Sequence, residues 1–143
     1  MANRILTAEG WTQRVRDKIG VDIAYLPDSV LEQPECITVA EANIIAQIPD
    51  YTAATGDARV YLEAAVVCEC AVLLCPGMPA RLPKMSQGPH ARYDVDTDWT
   101  EKKKELAAER DGNVGKVREA LAPGSVTTTN FFTVTHPSRR WCR

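Results

Sequence analysis

Five cysteines and two histidines carry most of the reactive chemistry on offer in this 143-residue chain. Thiolate and imidazole are the usual zinc ligands, and a thiolate is also a potent nucleophile. Their spacing argues against both uses. Cys36, Cys68, Cys70, Cys75 and Cys142 form an odd set, without metal-knuckle pairs or a disulfide framework. On a helix, Cys68 and Cys70 point about 200° apart and cannot chelate one ion. Cys68 and Cys75 share a face, but the helix holds their Cα atoms too far apart to bridge. His90 and His136 lie in proline-flanked segments with no carboxylate or nucleophile beside them. The expectation is small buried thiols in a reducing cytosol, with no zinc and no catalytic pair.

Asp94, Asp96 and Asp98 alternate in a polar stretch. A calcium loop needs a glycine and a distal glutamate that are missing here, so these carboxylates read as solvation and capping of the next helix. Lys102, Lys103 and Lys104 read as a solvated helix face rather than a phosphate site. There is no phosphate-binding glycine loop, nucleophile elbow or metal-ligand helix motif. The chain is therefore expected not to be an enzyme and to need no metal or cofactor. Its formal charge of -2 argues neither for wrapping nucleic acid nor for coating a membrane. The first residues, MANRILTAEGW, carry no apolar core or cleavage site of a secretory signal.

The element that must organise everything else runs from Asp57 to Cys75. Only Arg59, Glu63 and Glu69 interrupt its apolar sequence, and on a helical wheel they fall within about a third of the circumference. Tyr61, Leu62, Ala65, Val66, Ala71, Val72 and Leu73 fill the remaining arc. Such a helix needs neighbours on several sides. A membrane span needs ~20 apolar residues, and this charged, shorter run reads instead as the core helix of a soluble domain.

Around it, a first helix is expected from Thr7 as N-cap to about Ile19, with Trp11, Val15 and Ile19 on one face and Gly20 as its stop. Val21 to Leu26 is a short apolar connector and a candidate extended segment, and Asp28 is placed to cap a turn through Ser29, Val30 and Leu31. Thr38 and Glu41 form a capping box for a helix with Ala40, Ile44 and Ile48 inside, closed by Pro49. Pro76 to Thr97 is crowded with proline and reads as a long loop, with the central helix either ending at Pro76 or kinking past it. Asp98 to Glu101 is a second capping box, opening a helix to about Leu121. Its seam is Trp99, Leu106, Val114, Val117 and Leu121, and Gly112 and Gly115 are expected to bend or fray it. The tail differs. From Val126 to Thr135 it is rich in β-branched and aromatic residues. Val126, Phe132 and Val134 share one face, while Thr127, Thr129, Phe131, Thr133 and Thr135 line the other. The chain offers this strand no convincing mate.

The expected fold is thus mainly α. A small helical bundle around one central apolar helix spans residues 1–124, and residues 125–143 form an extended C-terminal β-strand tail.

The succession of these pieces resembles the phage head–tail connector family, the adaptor or head-completion proteins of the neck. The residues that carry the resemblance are Leu26-Pro27-Asp28-Ser29-Val30-Leu31, the Ala40-Glu41 helix, Ile48-Pro49-Asp50, the apolar helix from Ala58 with its exit through Ala80-Arg81-Leu82-Pro83, and Asp98-Trp99. The resemblance implies a virion protein, made in the host cytoplasm, whose copies form a ring (a dodecamer in this family) beneath the portal protein. It implies contact with the next neck or tail-completion protein, no membrane, and genomic DNA passing through the ring without sequence recognition. It also implies a C-terminal segment that reaches the portal. On strand addition, Val126, Thr128, Phe131, Phe132 and Val134 pair with and pack on the portal, while Arg139, Arg140 and Arg143 meet acidic groups and Trp141 anchors the end. The cysteine richness and the long Thr/Phe tail depart from the family's common form.

Two readings from other classes compete. One is a small helical nucleic-acid-binding regulator using Lys102 to Lys104 and the Arg139 to Arg143 end, recognisable by salt-steep binding to duplex DNA. The other is a thiol-redox protein using Cys68, Cys70 and Cys75, recognisable by rapid alkylation of the native chain.

Overall fold

The computed structural model describes residues 2–82, 85–88, 91–94 and 97–123. The order is α1 (Trp11–Ile19), α2 (Asp28–Leu31), α3 (Ile37–Gln47), α4 (Asp57–Leu74), α5 (Met78–Arg81), β1 (Met85–Gly88), β2 (Ala91–Asp94) and α6 (Trp99–Leu121), with 3-10 turns at Tyr51–Ala53 and Cys75–Gly77. The protein is mainly helical, and α4 is its axle. α6 runs along it for most of its length, and α1 and α3 pack on it as well. Every residue from Ala65 through Val72 is buried, so that half of α4 is enclosed on all sides. Leu62, Val66, Leu106 and Val117 are among the side chains in this core. Each contributes about 1.5–3 kcal/mol of transfer free energy.

With the turn at Cys75–Gly77 and with α5, the helical run spans Asp57–Arg81, 25 residues, and is long and apolar enough to cross a bilayer. Length therefore does not separate core helix from membrane span, contrary to expectation. What distinguishes α4 is that 56% of its most apolar window is already buried against other helices of the same chain. Pro76 and Pro79 are tolerated because each stands in the first turn of a short helical segment, where no N–H is needed.

The first helix starts later than Thr7. α1 begins at Trp11, after Gly10 in the left-handed region (φ 81°), and ends as expected at Gly20 (φ 85°). Residues 4–6 are drawn away from the helix because their N–H groups bond to Glu41 and because Ile5 and Leu6 are fully buried. That same carboxylate overturns the capping box at Thr38. α3 starts at Ile37, with Cys36 as N-cap and no side-chain cap hydrogen bond. One carboxylate that collects three distant N–H groups gains more than one that closes a local box. The inner stripe of Ala40, Ile44 and Ile48 is buried as read.

The connector after α1 is a turn rather than an extended segment, with the Asp22 carbonyl accepting from the Tyr25 and Leu26 N–H groups. Asp28 does not cap α2. It is the first residue of that helix and pairs with Arg16. At α6 the capping reading holds: Asp98 Oδ1 accepts from the Thr100 and Glu101 N–H groups at 3.0 and 3.1 Å. α6 continues through Gly112 and Gly115 without interruption, so the helix does not fray there. Leu106, Val114 and Val117 are buried, with Trp99 and Leu121 half-buried on the same seam.

The stretch read as loop contains an antiparallel ribbon, with Met85 opposite Asp94 and Gly88 opposite Ala91. Its strands are four residues each and largely polar, so no apolar alternation marks them. The chain therefore does hold strand edges, contrary to expectation. The strand read at Val126–Thr135, and the tail as a whole, lie outside the described residues.

Candidate functional site

Two polar assemblies cross the bundle, and both hold helices together. In the first, Glu41 accepts from the N–H groups of Arg4 (2.9 Å), Ile5 (2.8 Å) and Leu6 (3.0 Å). Arg59 Nη2 donates to the Ile5 carbonyl at 2.6 Å, and Arg59 and Arg14 share Glu63 at 3.3 and 3.1 Å. The N-terminal segment is thereby tied to α1, α3 and α4. In the second, Glu69 accepts from Asn43 at 2.9 Å and from Arg110 at 2.6 Å, joining α3, α4 and α6. The sequence places Glu69 on a polar face; in the fold it is buried, made tolerable by two charge-assisted or amide donors. Among the described residues no buried side-chain N or O lacks a hydrogen-bond partner.

Arg16 is buried as well. It donates to the Leu26 carbonyl at 2.6 Å and pairs with Asp28. The guanidinium, with a further contribution from Thr12, holds the Asp28 carboxyl below its usual range.

Cys36, Cys68, Cys70 and Cys75 are all free thiols and all buried. Burial pushes Cys68 up to about 11. It also raises Cys75, against the pull of Lys102 and Lys103. Cys36, which precedes α3, and Cys70, within α4, shift in opposite directions. The Cys70 thiol donates to Cys36, which lowers Cys36 and, together with burial, raises Cys70. No sequence signal announced this pair, since the two come from separate helices with no spacing rule between them.

A cleft of about 630 Å³ opens beside the N-terminal segment, lined by Asn3, Arg4, Trp11, Glu32, Ile37 and Thr38 among others. It offers an aromatic ring, one guanidinium and one carboxylate of opposite sign, and a hydroxyl. The Glu41 carboxylate at its wall is already committed to backbone N–H groups. Among the described residues no three His, Cys, Asp or Glu side chains gather as a metal site.

Lys103 and Lys104 are exposed and Lys102 is half-buried, with Lys104 paired to Glu101 at 3.6 Å. Large apolar side chains stand in solvent at Ile23, Tyr25, Val39 and Val60, on three different elements of the bundle. The residues read as the docking tail, Val126, Thr128, Phe131, Phe132, Val134, Arg139, Arg140, Trp141 and Arg143, lie outside the described residues. So do both histidines and Cys142. Comparison with protein-family models, with curated proteins and with solved structures finds no match to this chain. What fold and site define is a helical bundle built on one enclosed apolar helix.

Proposed function

We propose that the chain is a structural connector of a phage neck, forming a ring under the portal that joins the DNA-filled head to the tail. The observation that carries this reading is the succession of elements. A short helix follows Leu26-Pro27, and α3 is closed by Ile48-Pro49. The enclosed α4 leaves through Ala80-Arg81-Leu82, and α6 opens at Asp98-Trp99. Residue motifs and elements occur in the same order as in the connector resemblance. In this reading each subunit carries its own core and assembles on a template. Its C-terminal tail docks on the portal by strand addition, with Phe131 and Phe132 entering pockets and the arginines meeting acidic groups.

The same reading puts Lys102, Lys103 and Lys104 on the outside of the ring or against a neighbour. A basic lumen would retain phosphates instead of letting DNA slide. The test is deletion of residues 125–143. The truncated chain keeps its helical circular dichroism and loses attachment to portal in a pull-down. Full portal binding by the truncated chain would sink the tail-docking reading.

A further inference from the structure

The β1–β2 ribbon is the part of the fold that the connector reading leaves unused. Its sheet has two strands of four residues each, Met85–Gly88 and Ala91–Asp94. In an antiparallel pair, alternate residues turn their N–H and C=O groups away from the partner strand. Each strand therefore keeps an outer edge, unpaired among the described residues. Among those residues no helix packs broadly on the ribbon, so its edges are open to an added strand. A lone two-stranded ribbon is marginal in water and gains from a third strand. The chain also carries a strand-patterned segment at residues 126–135, outside the described residues and longer than either ribbon strand.

We infer that residues 126–135 of one copy add as a third strand to the β1–β2 ribbon of a second copy. Position decides between this and pairing within one chain. The ribbon ends at Asp94 and α6 begins at Trp99, so the ribbon hangs from the start of α6. The tail leaves from the other end of α6, 23 residues on, a distance of about 34 Å along the helix. Extended chain from Leu121 to Val126 reaches at most about 18 Å. In its own chain, the segment would spend most of its length running back beside α6 before meeting the ribbon. A second copy can present its ribbon to the whole segment. The contact is heterologous, with the tail of one copy on the ribbon of the next, so it propagates from copy to copy and closes where the rotation allows. Strands of four residues supply few backbone bonds, so the pairing is weak between free copies and fills at high concentration. A strand paired on one edge keeps its other edge, so docking on portal is not displaced. The inference needs this chain alone and stands apart from the connector reading.

The experiment mixes two full-length chains in equal amounts at millimolar concentration, without portal. One carries Phe131→p-benzoylphenylalanine as a photo-cross-linker; the other is isotope-labelled and has no probe. After irradiation, peptide mapping by mass spectrometry is expected to place the cross-link on residues 85–94, with labelled and unlabelled ribbon peptides in equal amounts. Thr128→Pro with Thr129→Pro in the probe-bearing chain removes one N–H donor from each edge of the added strand. That change should lower the yield about tenfold. Cross-links to unlabelled ribbon alone would mean pairing within one chain and would overturn the inference. So would cross-links confined to the helices, no cross-link at all, or a yield that the two prolines leave unchanged.

Discussion

The Glu41 carboxylate lies 2.8 Å from the backbone nitrogen of Ile5, a residue 36 positions earlier that is itself fully buried. A buried N–H without a partner costs about 1–3 kcal/mol, and Glu41 serves Leu6 and Arg4 in the same way. Glu41→Ala is therefore expected to destabilise the protein by about 2–4 kcal/mol in urea unfolding. Amide exchange at Ile5 and Leu6 should quicken more than elsewhere in the fold. Unchanged exchange at those two amides would show that they find other acceptors.

The N-terminal anchor also shows where sequence reading stops. The stop at Gly20 and the cap at Asp98 were legible because both depend only on residues within a turn of the helix end. The enclosure of α4 was legible because its composition leaves no broad polar face. Glu41 sits three residues after Thr38, and the local box is chemically sound; only the fold brings a competing set of N–H donors to it. Glu69 reads as solvent-facing until α3 and α6 supply Asn43 and Arg110. The ribbon at β1 and β2 escaped because strands this short and polar carry no apolar alternation.

Gly112 and Gly115 stand inside α6 with no atom within 4 Å of the position a Cβ would take. Alanine at either site should stabilise the isolated chain by about 0.5–1 kcal/mol, since the helix keeps its geometry and the unfolded chain loses freedom. Alanine at Gly10 or Gly20, both at positive φ, should destabilise instead. Chemical denaturation of the four variants checks the contrast in sign.

Glu69 and Arg110 form a pair whose carboxylate side chain is 6% exposed. Arg110→Ala strands that charge in the core and is expected to cost about 3–4 kcal/mol. The double variant Arg110→Leu with Glu69→Leu should recover much of the loss. A double-mutant cycle decides it, and additive losses would mean that the pair does not act as a unit.

Cys68 titrates at about 11 in the folded chain, above the ordinary thiol value of 9.0. A raised folded value means that its contribution is intact below the unfolded value and is lost as pH climbs through the folded one. Stability should therefore decline from pH 9 towards pH 11, and less steeply in Cys68→Ala. The measurement is the urea midpoint of both proteins across that window; parallel curves would remove Cys68 as the cause.

The connector account is tested most directly by the mass of the particle that the full-length chain forms with and without portal protein. Alone at micromolar concentration, sedimentation should show small species, because each subunit has a complete core. With portal rings present, the account predicts a single heavier complex whose added mass is a whole ring of subunits. A portal ring that sediments unchanged, with this chain left behind as small species, would contradict it.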